Sequence, residues 1–301
     1  MKKALVLSGG AALGAFQAGF LYRDRVKYDL ICGVSAGALN GAMIAQDKHE
    51  EMKELWNRFA IDRQNIYSSK VLSSTGKIKP IALLWESITS WPLVSVAENL
   101  PLKNLINTYM VKDDFKTKLI IGATSLNTFT YYPISVDSVD EENLHKLLLA
   151  SAAFPGVFPP VKSIQGKWGQ TYQQMADGGI GYGSSLSDAT NWIKKYSSEP
   201  DKWHIDIITT RKTDSSYRNN PTNILQILWR TGQIILNNSR KRDVSLFLDR
   251  NEKEEYLKFS YRLIQPDDDL AGSWDFTEAA IKNSWQHGVE MADKENLEWQ
   301  E

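Results

Sequence analysis

Ser35 stands at the centre of Gly33-Val34-Ser35-Ala36-Gly37, after an apolar run from Tyr28 to Cys32 and before a small-residue run from Ala38 to Gln46. A strand entering and a helix leaving such a pentapeptide make a nucleophile elbow. The reversal forces the serine into a strained backbone conformation and admits only small residues two positions to either side. Gly33 and Gly37 meet that demand. Ser35 Oγ then projects from a sheet edge at a helix N-terminus, where unbonded N–H groups and the helix dipole favour developing negative charge. The chemistry implied is acyl transfer through a serine. By themselves the five residues also fit a Gly-rich turn, so the flanking strand and helix carry the weight.

A second unit of the same kind lies upstream. Lys3 to Ser8 reads as a buried strand, Gly9-Gly10-Ala11-Ala12-Leu13-Gly14 as a tight loop, and Ala15 to Tyr22 as an apolar helix. Glycines and alanines let backbone N–H groups crowd an anion, here the oxyanion of a tetrahedral intermediate beside Ser35. One such donor contributes about 2.7–4 kcal/mol to the transition state. The rival reading is a dinucleotide fingerprint with Asp29 as the ribose acid, but the spacing Gly9-Gly10-x-x-x-Gly14 fits Gly-x-Gly-x-x-Gly poorly. A third signal is Met175-Ala176-Asp177-Gly178-Gly179, in which a carboxylate ends an extended run and two glycines turn the chain. Asp-Gly alone signals a hairpin turn; beside the other two units it offers a base.

These blocks, together with Ala150-Ser151-Ala152-Ala153-Phe154-Pro155-Gly156-Val157-Phe158-Pro159-Pro160-Val161, resemble the patatin-like phospholipase family in kind and order over residues 3 to 185. The resemblance implies a three-layer α/β/α fold with a central, mostly parallel sheet. It implies Ser35 as nucleophile and Asp177 as general base of a Ser-Asp dyad. Gly9, Gly10 and Ala11 would form the oxyanion loop, and Gly14, Gly33, Gly37, Gly178 and Gly179 would support the motifs. Two departures stand out. Ala11 replaces the family's third glycine and Leu13 its basic residue, and Ile180-Gly181-Tyr182-Gly183-Ser184-Ser185 follows where family members continue with Asn and Pro.

A Ser-His-Asp triad is the competing arrangement. The four histidines are His49 and His145, in polar helical stretches and expected to be solvated, His204 at the start of a strand, and His287 in a C-terminal helix. None has catalytic context. An aspartate is ionised at neutral pH but a weak base unless desolvation raises it. The dyad therefore predicts a pH–rate profile without the inflection near about 6.5 that a free imidazole gives.

The remaining sequence bounds the class. The 301 residues suffice for one large domain, with the C-terminal part from 186 completing or decorating it, and no linker or repeat divides them. A formal charge of −1 excludes a nucleic-acid footprint. The single Cys32 precludes an internal disulfide and suits a reducing, cytoplasmic setting. Lys2-Lys3 and the apolar run after them resemble a secretory signal, but Ser8-Gly9-Gly10 interrupts it, so the segment is expected to be retained. No apolar run reaches the length of about 18 residues that spans a bilayer. No metal or cofactor is implied.

Ile81 to Val96 carries Leu83, Leu84, Trp85, Trp91, Leu93 and Val94; the expectation is that these pack on the core, with an aromatic flap over an acyl site as the alternative. Strands are predicted at Lys118 to Thr124, Phe129 to Ser135, Trp203 to Thr210 and Tyr256 to Gln265. Helices are predicted at His49 to Ala60, Leu144 to Ala152 and Thr277 to Asp293, with a polar turn at Pro266 to Asp269. Asn223 to Trp229 and Ile234 to Leu236 form an apolar helical face, read as packed on the sheet with a solvated basic end at Arg230, Arg240, Lys241 and Arg242; an approach to anionic lipid is the alternative. The expected function is hydrolysis of phospholipid or lysophospholipid esters, the partner being a lipid or membrane surface. A soluble carboxylesterase or thioesterase is the runner-up, and a non-catalytic lipid-binding module the reading from another class. Head group, acyl position, activator and oligomeric state stay open.

Overall fold

The computed structural model describes residues 1–73, 77–90, 94–212, 220–222, 224–253 and 258–298. Its first unit follows the predicted plan: β1 (Lys2–Leu7), a 3-10 turn at Ala11–Leu13 and α1 (Gly14–Asp24), then β2 (Leu30–Val34) and α2 (Ala36–Ala45). Next come α3 (His49–Ile61), α4 (Pro80–Thr89), α5 (Leu100–Tyr109), β3 (Lys118–Ser125) and β4 (Thr130–Ser135). They lead into α6 (Glu141–Ser151), β5 (Val161–Gln165) and β6 (Thr171–Asp177). The chain closes with α7 (Leu186–Tyr196), β7 (Trp203–Ile208), α8 (Ile224–Lys253), β8 (Ser260–Ile264) and α9 (Glu278–Glu298).

The eight strands among the described residues join one sheet, ordered β5-β6-β3-β2-β1-β7-β8, with β4 also paired to β3. The five strands from β3 to β8 are parallel, while β4, β5 and β6 pair antiparallel. Parallel strands are buried on both faces, and β1 shows how one run feeds two cores. Leu5 and Leu7 enter the core shared with α1, α2, α3, α5, α6 and α9, whereas Ala4 and Val6 enter the one beneath α7 and α8. The result is the three-layer α/β/α architecture with a mostly parallel sheet.

Charge inside the sheet is paired. Asp206 of β7 accepts hydrogen bonds from Arg262 Nε at 2.9 Å and the Tyr28 hydroxyl at 2.8 Å, and Arg262 Nη2 reaches Asp24 at 3.1 Å. Burial pushes Asp206 up, but hydrogen bonds from His204 and Arg262 prevail and hold it at about 2. An uncompensated carboxylate there would be strongly destabilising.

Register brings Ser35 and Asp177 together. Gly122 of β3 pairs with both Val34 and Pro133, and Ala123 pairs with both Tyr132 and Asp177. Strand β4 therefore occupies one edge of β3, and β2 and β6 share the other, meeting end to end. The residue after Val34 is Ser35, so adjacent positions on β3 place Ser35 beside Asp177.

Several expectations are revised. Trp85 and Leu84 do not pack on the core: Ile81, Leu84, Trp85 and Ile88 of α4 are each 65% or more exposed, and Val94 is 61% exposed. The spacing i, i+3, i+4, i+7 that reads as a core stripe faces outward here because α4 sits on an excursion between α3 and α5. Trp91 and Leu93 lie outside the described residues. The two apolar segments near residue 230 belong to the single 30-residue α8, of which Ile227, Ile234 and Ile235 are about half exposed. Asn223 and the side chains of Ile224, Leu225, Gln226, Leu228 and Trp229 lie outside the described residues, as do Tyr256 and Leu257 of the predicted last strand. Arg240 is not solvated but 6% exposed, and His49 is 7% exposed. Strand β5 escaped the sequence reading because Val161–Gln165 carries polar residues in an edge strand.

Candidate active site

Ser35 has φ 56° and ψ −130°, an unfavourable conformation for a side chain other than glycine. Strain of this kind costs about 1–3 kcal/mol and persists only where the surroundings impose it. The surroundings are explicit. A Cβ on Gly33 would lie 2.7 Å from the Gly37 carbonyl oxygen, and one on Gly37 would lie 2.6 Å from those of Leu7 and Ser8. The elbow is thus wedged between β1 and the start of α2, with both glycines required by close backbone approach.

Ser151 holds Ser35 from the other side, and Asp177 stands next to it. The Ser35 N–H donates to Ser151 Oγ at 2.9 Å, and Ser151 Oγ donates to the Gly122 carbonyl at 2.7 Å. Asp177 is held by its own N–H to the Ala153 carbonyl at 2.9 Å, and its Oδ1 accepts from Gly179 N–H at 2.8 Å. A Cβ on Gly178 would lie 2.3 Å from the Gly122 carbonyl oxygen, so the turn after Asp177 needs glycine. The register on β3 sets the Ser35 hydroxyl beside the Asp177 carboxylate, and both line the same cavity.

Burial raises the Asp177 carboxyl to about 6, with the hydrogen bonds from Ser35 and Gly179 pulling against it. Desolvation thereby makes this aspartate a stronger base than the free side chain. It also revises the expected pH profile: a carboxylate in this setting titrates close to where a free imidazole does.

The glycine-rich loop after β1 is pinned at many points. Gln17 Nε2 donates to the Ser8 and Ile208 carbonyls at 2.9 and 3.0 Å, and Thr210 N–H donates to Ser8 Oγ at 3.1 Å. Thr210 Oγ1 donates to the Gly9 carbonyl at 2.8 Å, and Ala12 N–H to the Ser273 carbonyl at 2.8 Å. Asn40 Nδ2 reaches the carbonyl of Gly14, whose Cα packs so closely on α2 that a Cβ would lie 2.9 Å from that of Ala36. By contrast, the N–H groups of Gly9, Gly10, Ala11 and Ala36 donate to no acceptor among the described residues. Ala11 takes φ 49°, a left-handed conformation that its missing predecessor glycine would adopt more cheaply.

Ser35, Asp177, Gly9, Gly10, Ala11 and Gly179 all line one cavity, while Gly14, Gly33, Gly37 and Gly178 stand behind it. Its other walls are mostly apolar: Leu39 and Met43 of α2, Met52, Leu55 and Trp56 of α3, Leu102 and Ile106 of α5, with Phe154, Phe158 and Trp274. No histidine lines it. His204 sits between Asp206, 3.0 Å from Nε2, and Ser260, 2.5 Å from Nδ1. His145 Nε2 contacts the Met110 carbonyl at 2.6 Å, and His287 Nε2 accepts from Asp267 N–H at 3.1 Å. His49 opens α3 and is buried, not solvated as expected.

The sequence reading did not assign Ser151, Thr210 or Arg240 to the site. Ser151 lay within a quoted block and could have been suspected, whereas Thr210 and Arg240 arrive only through the strand order and the register of a long helix.

The family model for patatin-like phospholipases matches residues 5–189, more than half of the chain. No curated protein matches it. Among solved structures, the crystal structure of VipD from Legionella pneumophila aligns with 97% of this chain and 67% of its own, at 13% identity and a TM-score of 0.39, a likeness too distant to bear on the site. With the family model spanning the glycine-rich loop, the Gly33–Gly37 turn and Asp177, the chain belongs to the patatin-like phospholipase family and is a lipid acyl hydrolase, cleaving ester bonds.

Proposed function

We propose that the chain hydrolyses phospholipid or lysophospholipid esters at a lipid surface through an acyl-Ser35 intermediate, with Asp177 as the sole general base. The observation that carries this reading is that Ser35 and Asp177 stand on adjacent positions of the sheet and line one largely apolar cavity that no histidine lines. Ser35 Oγ attacks the ester carbonyl carbon as its proton passes to Asp177. The oxyanion forms against the N–H groups of Gly9, Gly10 and Ala11, to which Ala36 adds a fourth donor. Collapse breaks the ester C–O bond, and the alcohol leaves with the proton from Asp177. Asp177 then deprotonates a water that attacks the acyl-serine, releasing fatty acid and restoring Ser35.

The apolar walls from α2, α3 and α5 suit an acyl chain. A lipid surface as the source of substrate is supported by α4, whose exposed Ile81, Leu84, Trp85 and Ile88 are flanked by exposed Lys77 and Lys79. That helix is carried on the chain between Tyr67 and Leu102, both lining the cavity, and its return is tied to it by Ala97 N–H on the Val157 carbonyl at 2.9 Å. No described helix is long and apolar enough to cross a membrane.

The test compares fatty-acid release from phospholipid vesicles and from a soluble short-chain ester, for wild type, Ser35→Ala and Asp177→Asn. Preference for vesicles and a loss of about a thousand-fold or more in each variant support the reading. Turnover of the soluble ester alone would identify a carboxylesterase, and vesicle binding without release, unchanged in Ser35→Ala, a lipid-binding module.

A further inference from the structure

The cavity does not stop at Ser35 but follows α2 inward. Only Gln46, Asp47 and Lys48 join α2 to α3, so the two helices form an antiparallel hairpin. Trp56 Nε1 donates to Asn40 Oδ1 at 3.0 Å across it and fixes its register. Met43 and Met52 then stand about one turn nearer the connection than Asn40 and Trp56 do. Met110, which ends α5, reaches the connection itself: Gln46 Nε2 donates to its Sδ at 3.2 Å. Ser35 lies at the opposite end of α2, just before its first turn. Ser35 and Met110 nonetheless line one cavity, together with Leu39, Met43, Met52 and Ile106, so the cavity runs the length of α2.

Three of the chain's six methionines, Met43, Met52 and Met110, thus gather at its inner end, each from a different helix and each no more than 4% exposed. Behind them the structure is polar. Gln46 Nε2 also donates to the Ala42 carbonyl at 3.0 Å, and its Oε1 accepts from Lys48 Nζ at 2.9 Å and from Val111 N–H at 3.2 Å. Lys48 Nζ reaches the Tyr109 carbonyl at 2.8 Å, and His145 Nε2 lies 2.6 Å from the Met110 carbonyl oxygen. An alkyl chain driven past the methionines would break these bonds and offer none in return. Methionine side chains are flexible enough to settle against a chain end, while the bonds behind them set a floor.

The depth follows from helix geometry. Met43 comes eight residues after Ser35, and at 1.5 Å per residue that is about 12 Å. An extended alkyl chain with carbon–carbon bonds of about 1.5 Å advances about 1.3 Å per methylene, so a chain of about ten carbons reaches from the serine to the methionines. We infer that Met43, Met52 and Met110 gauge the length of the acyl group, giving the enzyme a preference for medium chains of about eight to twelve carbons with Met110 as the limiting side chain. The inference names the acyl group of the proposed reaction and rests on Ser35 as the residue that holds its carbonyl.

The experiment has two arms. In the first, kcat and KM are measured on nitrophenyl esters of saturated acids from about four to about sixteen carbons, at one fixed detergent concentration, for wild type, Met110→Ala, Met110→Leu and Met43→Phe. In the wild type kcat/KM should climb up to about four-fold per methylene and stop climbing near about ten carbons. Met110→Ala should move that break about two or three carbons longer and Met43→Phe should move it shorter, while Met110→Leu, of similar volume, keeps it in place. Opposite shifts cannot come from lost stability, which lowers the rate on every ester alike. A break at one length in all four proteins, or none up to about sixteen carbons, would overturn the gauge. In the second arm, calorimetry follows saturated fatty acids of about six to about fourteen carbons binding to Ser35→Ala, with and without Met110→Ala. Affinity that levels near about ten carbons, and later in the double variant, is the expected result. Seen in a Ser35→Ala protein that still hydrolyses esters, it would keep the gauge while the catalytic reading falls. Affinity that rises evenly across the series, or a level point that Met110→Ala does not move, would overturn the inference.

Discussion

Lowering the pH from about 8 to about 5 should switch off the carboxylate of Asp177, which stands beside Ser35. Asp177 is buried at 4% exposure, and burial raises its pKa from 3.8 to about 6. Only the ionised form accepts the serine proton, so kcat/KM follows its fraction, about 90% at pH 7 and about 10% at pH 5. An aspartate at the ordinary value of 3.8 would still be more than about 90% ionised at pH 5. The structure therefore predicts a single-proton acidic limb centred near 6, with the rate at pH 5 about one-tenth of the plateau. The assay is kcat/KM for a soluble ester across this range, which reports the free enzyme. In kcat the limb should move higher, because a bound acyl chain desolvates the carboxylate further. Asp188 and Asp243 are also raised to about 6 by burial, so the limb must survive Asp188→Asn and Asp243→Asn. It must also survive replacement of His49, His145, His204 and His287. A rate flat to pH 4.5, or a limb abolished by one histidine substitution, would refute the reasoning.

Three further outcomes are expected. Asp177→Asn should stabilise the fold near pH 8. A group whose folded pKa lies above its unfolded one gives stability that is present at low pH and lost as pH rises through about 6, here up to about 3 kcal/mol, so the gain in Tm should vanish near pH 3. Trp85→Ser should lower partitioning onto anionic vesicles by about tenfold, since burying such a side chain is worth about 1.5–3 kcal/mol, and leave soluble-ester turnover alone. High salt should weaken the same binding through Lys77 and Lys79. Sedimentation with vesicles reads both, and undiminished binding of Trp85→Ser would remove α4 from the membrane contact.

What could be read from sequence was what local geometry dictates. The elbow, the Gly loop and the Asp-Gly-Gly turn each need small residues at fixed offsets, and Gly33, Gly37 and Gly178 stand where a Cβ would strike backbone within 2.8 Å. The parallel inner strands were legible as apolar runs buried on both faces. Long-range placement was not. An outward apolar stripe on α4 has the same period as an inward one, so only the tertiary excursion distinguishes them. Arg240 resembled a solvated helix end because its burial depends on the length of α8 and on the docking of Gly183 against it. Desolvation of Asp177 likewise arises from layers that sequence spacing does not encode.

The most direct measurement is to mix the protein with vesicles of acyl-labelled phospholipid, quench during turnover, digest, and locate the label by mass spectrometry. The account predicts an acyl ester on the peptide bearing Ser35, formed with release of the matching lysophospholipid and slowed by about a thousand-fold or more in Asp177→Asn. Fatty acid released with no label on that peptide, or undiminished release by Ser35→Ala, would contradict it.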